Sequence, residues 1–264
     1  MCSILWNFWR LSAISVLKNA ANVLRCIGTD CPDLTVSEVS RRLEMPKANA
    51  SRLLKAMREA GMLETMGNSL RHRPGSLMMY VGSLQRHASV LMGEASDAVS
   101  NVSKTFGHTG YISMLDGCEV VGVAGFEGTN ALRVVSNIGR RLPAHRSATG
   151  RTLLARLPDD ALRRLYGGQV DYEGLRAALD KVRDQGFAMS SQESTPGVDA
   201  IAIGVADPKT SENVSLCIVY PHGHVDEDGR DAITSALADQ ASRIAREFGD
   251  THFVTPKIQK KENR

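Results

Sequence analysis

The stretch LTVSEVSRRLEMPKANASRLLKAMREAGMLE, Leu34 to Glu64, decides the fold of this chain. Thr35 followed three residues later by Glu38 is a capping box, which predicts a short helix ending near Glu44. Met45-Pro46 is the turn, and Pro46 suits the first turn of a second helix. In that helix Ala50, Leu53, Leu54 and Met57 recur at i, i+3, i+4 and i+7, and Gly61 supplies the stop. Two short helices joined by a tight turn make a helix-turn-helix. At about 100° per residue Lys47, Ser51, Lys55 and Arg58 share one face, flanked by Arg52, with the apolar set opposite. Lys47, Ala48, Asn49, Ser51 and Arg52 at the helix start are the candidates for reading base edges. Arg41, Arg42, Lys55 and Arg58 lie where phosphates are expected. The sequence LETMGNSLRHR that follows reads as a hairpin with Gly67-Asn68 at its tip and Arg71, His72 and Arg73 on the return, so the expected domain is winged.

Working outward, apolar spacing at Ile14, Leu17, Ala21 and Leu24 predicts a helix over Ser12 to Ile27, which places the winged domain at residues 12–76. Charge agrees with it. Met1 to Ser76 holds 11 Lys/Arg against 6 Asp/Glu, a local +5, while the remainder is slightly acidic, and a positive footprint is what phosphate neutralisation requires. MCSILWNFW lacks a basic n-region, and Arg10 and Lys18 interrupt the apolar run, so it is not expected to be a signal peptide; residues 1–11 are expected to be a poorly ordered extension. The apolar positions from Leu77 to Phe106 predict one long or one broken linking helix, a candidate for dimerisation. Residues 107–249 carry short strand-like runs at Tyr111 to Leu115, Glu119 to Ala124, Arg133 to Asn137, Gly197 to Ala206 and Val214 to Pro221. Helical patterns fall at Ser147 to Leu157, Tyr172 to Gln185 and Asp226 to Phe248. Strands mixed with helices predict an α+β domain, followed by a polar tail over residues 250–264.

With 42% apolar and 23% charged residues in 264, the composition excludes a disordered or collagen-like chain. Five scattered cysteines without CxxC spacing exclude a disulfide framework and a four-cysteine zinc site, so a reducing cytoplasm fits. No stretch approaches the roughly 20 apolar residues needed to cross a bilayer, so no membrane partner is expected. Nucleophile and metalloprotease motifs of the GxSxG and HExxH kind are absent, so no enzyme and no cofactor is expected. His222 and His224 with Cys217 are a conceivable metal set, but a Pro-Gly turn more often carries such residues as a surface loop, and no metal is expected. A winged helix that contacts protein instead of DNA is the alternative class; four cations on the second helix against Glu59 favour nucleic acid.

The arrangement resembles the isocitrate lyase regulator (IclR) family of bacterial transcription factors from about Ser12 to Gly249. Besides the helix-turn-helix, GRRLPAHRSATGRTLLARL (Gly139 to Leu157) and DQGFAMSSQESTPGVDAIAIGVAD (Asp184 to Asp207) are similar to family segments. The resemblance implies a winged DNA-binding domain, a linker helix used in dimerisation, and a GAF-like mixed α/β domain that binds a small effector. It implies a homodimer or tetramer that represses or activates a catabolic operon by binding a double-stranded DNA operator. Carried over residue by residue, the effector positions fall on Ala148, Thr149, Ser190 or Ser191, Cys217 and Val219. The chain departs from members that take very small acids, with serine at an acidic position and Cys217 and Val219 at hydroxyl positions. A less polar cavity is therefore expected, suited to an aromatic or branched organic acid. From the residues themselves, Ser147 to Gly150 precede a helical run whose free N–H groups suit an anion. Arg140 and Arg141 either steer an anion toward it or are plain surface. His145 reads as a core or hinge histidine and Cys217 as a small buried hydrophobe.

Overall fold

A computed structural model describes residues 16–67, 69–136, 138–168 and 171–257. The chain divides into two compact units, residues 1–88 and 89–264. The expected extension over residues 1–11, the start of the first helix and the end of the tail lie outside the described residues.

The first unit contains α1 (residues 16–25), α2 (Val36–Arg42), α3 (Lys47–Glu59), β1 (Leu63–Thr65), β2 (His72–Pro74) and α4 (Ser76–Ala88). The capping box forms. The Thr35 hydroxyl accepts from the Glu38 N–H while Glu38 accepts from the Thr35 N–H at 2.7 Å. Those bonds, with Arg71 and Arg42 nearby, hold the Glu38 carboxyl below the usual range. The Ser40 hydroxyl donates to the Met45 carbonyl at 2.6 Å and stitches the turn. Gly61, at φ +75°, follows the end of α3 in the left-handed conformation that glycine tolerates. Val23, Leu34, Val39, Ala50, Leu54, Met57 and Leu63 form the core between the helices and the hairpin. In the hairpin Glu64 pairs with Arg73 and Thr65 with His72, and Leu34 adds a bridge to His72.

The second unit is built on a six-stranded antiparallel sheet in the order β5-β4-β3-β8-β7-β6. Its strands are β3 (Thr109–Asp116), β4 (Glu119–Phe126), β5 (Arg141–Pro143), β6 (Ala188–Ser191), β7 (Val198–Asp207) and β8 (Glu212–Pro221). The helices α5 (Val90–Phe106) and α9 (Glu227–Phe248) cover one face, and α6 (Ala148–Leu154) and α8 (Tyr172–Gln185) lie on the other, with α7 (Asp159–Tyr166) beside them. Strand alternation sorts the side chains by size. Ile201, Ile203, Val205, Leu216 and Ile218 go under α5 and α9, each burial contributing about 1.5–3 kcal/mol. Ala200, Ala202, Gly204, Ser215 and Cys217 face α6, which therefore approaches the sheet closely. A Cβ on Gly204 would stand 3.2 Å from the Thr152 carbonyl oxygen, and the Thr152 and Ser215 hydroxyls meet at 2.8 Å.

One open alternative is decided and two features differ from expectation. The linking run is the broken case, two helices divided at Ser89, whose hydroxyl accepts the Met92 N–H and donates to Glu212. The second of the two, α5, supplies Leu91, Ala95, Ala98, Val99 and Val102 to the second unit's own core. Of the run Arg133 to Asn137, expected as strand, residues 133–136 are irregular and Asn137 lies outside the described residues; Thr109 and Tyr111 side chains donate to the Val134 and Val135 carbonyls at 2.5 and 3.0 Å, bonds that a strand neighbour would otherwise supply. The segment after Gly249 docks instead of trailing: Asp250 is buried, pairs with Arg156 and accepts the Ala206 N–H, and Phe253 packs on the core.

Candidate functional site

In the first unit α3 buries Ala50, Leu54 and Met57, so the helical period turns Lys47, Ala48, Asn49, Ser51, Arg52, Lys55 and Arg58 outward, and all seven are exposed. The Arg52 guanidinium donates to the Asn49 side-chain oxygen at 2.7 Å, so two base-reading candidates hold one another in position. Lys55 lies 3.8 Å from Glu59, an exposed pair one turn apart that contributes a few tenths of a kcal/mol and is easily exchanged for a phosphate. Arg41, Lys47 and Arg58 have no ion pair among the described residues.

The remaining basic candidates serve the fold. Arg42 donates to the Cys26 carbonyl at 3.0 Å and to the Cys31 sulfur at 3.3 Å. Arg71 grips Asp33 at 2.5 Å and stands 3.5 Å from Glu38, tying the wing to the capping box. Arg73 pairs with Glu64 across the hairpin at 2.6 Å. Charge alone marked these three in the sequence; their partners, up to 38 residues away, did not show there.

In the second unit a cavity of about 270 Å³ opens on the α6 face of the sheet. Its floor follows from alternation: Tyr111 and Ser113 on β3, Cys217 and Val219 on β8, Ala200 on β7 and Ser190 on β6. The segment between β4 and β5 closes one side with Val134, Val135 and Arg140, and Ser147 to Thr149 stand at the start of α6. Ser147 spends its hydroxyl on the Gly150 N–H at 3.0 Å, so one of the backbone donors expected to meet an anion is already satisfied. Arg151 of α6 pairs with Glu193 and ties down the turn that carries Ser194 and Thr195 into the lining.

Five of the six expected effector residues line this cavity: Ala148, Thr149, Ser190, Cys217 and Val219. Ser191 does not, because on β6 Ala188 and Ser190 are buried while Met189 and Ser191 point outward. Arg140 lines the cavity and Arg141 does not. One residue on, Arg141 turns to the far side and binds Asp116 and Glu119. The lining holds more hydroxyls than the sequence led us to expect, with Ser113, Ser194 and Thr195 added to Thr149 and Ser190. The alternation in Tyr111-Ile112-Ser113 was the signal that could have found the β3 pair. Burial pushes the Cys217 thiol up to about 12, so it packs as a small apolar group. His145 sits edge-on to Tyr166 at 5.6 Å; burial, with Arg146 and Arg151 behind it, lowers its pKa and favours the neutral imidazole. His222 pairs with Asp199 at 3.0 Å instead of joining Cys217, and no group of three metal-ligating side chains occurs among the described residues.

A domain family described as the IclR helix-turn-helix domain matches residues 16–67, and one described as bacterial transcriptional regulator IclR C-terminal matches residues 85–246, more than half of the chain. The chain belongs to the IclR family. Its relatives include the HTH-type transcriptional regulator XynR of Escherichia coli, 26% identical over 224 residues that cover 81% of this chain and 89% of XynR. Among solved structures, an IclR-type transcriptional regulator from a Silicibacter species superposes with a TM-score of 0.80 at 20% identity, covering 91% of this chain and all of that one. An IclR homologue from Microbacterium hydrocarbonoxydans, solved with 4-hydroxybenzoate, gives 0.67 at 22% identity over 89% of this chain and all of that one. These two likenesses establish the fold. The chain is thus an IclR-family transcriptional regulator with a helix-turn-helix unit and a C-terminal effector-binding unit. Among the described residues no helix is long and apolar enough to cross a membrane.

Proposed function

We propose that this IclR-family regulator acts in the cytoplasm on a catabolic operon, reading a pseudo-palindromic operator through α3 and responding to a small organic acid held in the second unit's cavity. The observation that carries the DNA half is the outward face of α3, where Lys47, Asn49, Ser51, Arg52, Lys55 and Arg58 are all exposed opposite a closed apolar core. Lys47, Ala48, Asn49, Ser51 and Arg52 take the base edges, and Arg41, Lys55 and Arg58 take phosphates. Arg42, Arg71 and Arg73 contribute to the field while holding the domain together.

Two copies are needed to read a pseudo-palindrome, with half-sites spaced by multiples of about 34–36 Å. Support for a dimer or tetramer comes from α4, which has no buried residue among those described and carries Leu77, Tyr80, Val81 and Leu84 exposed at i, i+3, i+4 and i+7. Whatever factor the acid imposes on operator affinity, the operator must impose on acid affinity.

Arg52→Ala is the test of the reading head. Titrating a labelled operator is expected to show a loss of about 1–3 kcal/mol, roughly 5- to 150-fold, with acid binding unchanged. Operator affinity equal to that of the unaltered protein would remove α3 from the groove.

A further inference from the structure

We infer that Arg140 is the residue that reads the acid group of the effector, and that the effector is a hydroxylated aromatic monocarboxylate lying across the sheet with its carboxylate toward Arg140. This deepens the proposed function and rests on the cavity being the effector site. The carboxylate was expected at the start of α6. The cavity instead offers a guanidinium: Arg140 shares the inward face with Leu142 two residues on, and has no acidic partner among the described residues. Its neighbour Arg141 is saturated by Asp116 and Glu119. A cation at a mostly apolar wall with no counter-charge is electrostatically incomplete until an anion arrives, and a guanidinium fork matches a carboxylate.

Among the described residues the lining contains no Asp or Glu, which disfavours a cationic ligand. At the other end of the floor Ser190, on a strand three places from β3, is buried but for 7% of its surface, and its hydroxyl makes no hydrogen bond among the described residues. Ser113 on β3, buried but for 5%, is likewise unpartnered. Both hydroxyls open into the cavity, where each can donate to and accept from a ligand group or water. Between the ends the floor is Ala200, Cys217 and Val219, an apolar surface that suits a ring. About 150 Å³ suffices for benzene, so 270 Å³ holds one ring with an acid group at one end and a hydroxyl at the other.

The experiment is calorimetric titration of the full chain with 4-hydroxybenzoate, 4-hydroxyphenylacetate and 4-hydroxycinnamate, with their methyl esters, and with pyruvate and isovalerate as aliphatic acids. At least one hydroxylated aromatic acid is expected to bind about 10- to 100-fold more tightly than its ester. Arg140→Gln is expected to erase that difference by weakening the acid while leaving the ester within about twofold, and Arg140→Lys to restore part of it. A preserved ester affinity is a readout that a merely structural role for Arg140 would not give. Ala200→Leu, or Ser113→Leu should the first not fold, fills the floor and is expected to abolish binding of every probe. Acid binding blocked by the filled floor but indifferent to Arg140→Gln overturns this inference and leaves the effector site standing. Binding indifferent to the filled floor overturns both. Binding of the aliphatic acids alone overturns the aromatic assignment and keeps the cavity as an acid site.

Discussion

Leu54→Asp is expected to abolish operator binding by unfolding the first unit, while the second unit still binds its acid. Leu54 is fully buried at the centre of the cluster formed with Val39, Ala50, Met57 and Leu63. An ionised carboxylate there has no cation or donor to meet it, and the effective penalty of several kcal/mol for an unpaired buried ion is comparable to the whole stability of a unit this size. Loss of the first unit's share of helical circular dichroism, together with loss of the operator complex, is the expected pair of results. Native helicity with normal operator binding would show that the core of the helix-turn-helix has been misplaced.

The second large effect is expected from Gly150→Val. A Cβ at Gly150 would stand 2.1 Å from the Ala144 carbonyl oxygen and 2.3 Å from the Ala144 Cα, contacts with backbone that no rotamer relieves. The first turn of α6 must move, at a cost of about 1–3 kcal/mol or more, and Ala148 and Thr149 move with it out of the cavity wall. A fall in melting temperature of the second unit by several degrees is expected, with acid affinity reduced at least tenfold. An unshifted melting curve with full acid affinity would contradict the close seating of α6 on residues 144–147.

What could be read from the sequence was local. The capping box, the proline turn, the i, i+3, i+4, i+7 set and Gly61 each act within a few residues, and together they located α2, α3 and the hairpin. The large-small alternation in Val198 to Asp207 was equally visible, and it is the reason α6 sits close to one face. What could not be read depends on contacts distant in sequence. Arg71 looks like any exposed cation until Asp33 and Glu38 are brought beside it. Arg133 to Ser136 has the composition of a strand, but two side chains of β3 take its carbonyls and no strand pairs with it. Asp250 looks like the start of a polar tail until Arg156 receives it. Ser190 and Ser191 could be separated only by the register of β6 against β7, since a shift of one residue exchanges which of them faces inward. Eight residues between Pro158 and Gly167 were too few to show α7 as a helix.

The proposed effector cavity was half legible for the same reason. Positions carried over from family segments reached its floor and Arg140 lay in one of those segments, whereas Tyr111 and Ser113 come from β3, which only the sheet order brings to the cavity. Arg140 and Arg141 are indistinguishable as letters. The strand period sends one to the cavity and the other to a pair of carboxylates, and the proposed specificity rests on that difference.

The central claim is sequence-specific DNA binding through α3, and the most direct measurement is a selection of fragments of the source genome by the purified full-length protein at low and at physiological salt, read by sequencing. The expected result is enrichment of one pseudo-palindromic site that survives the higher salt and is lost with Arg52→Ala. Uniform recovery of fragments at low salt that vanishes as salt rises would reduce the basic face to a non-specific electrostatic surface and contradict the account.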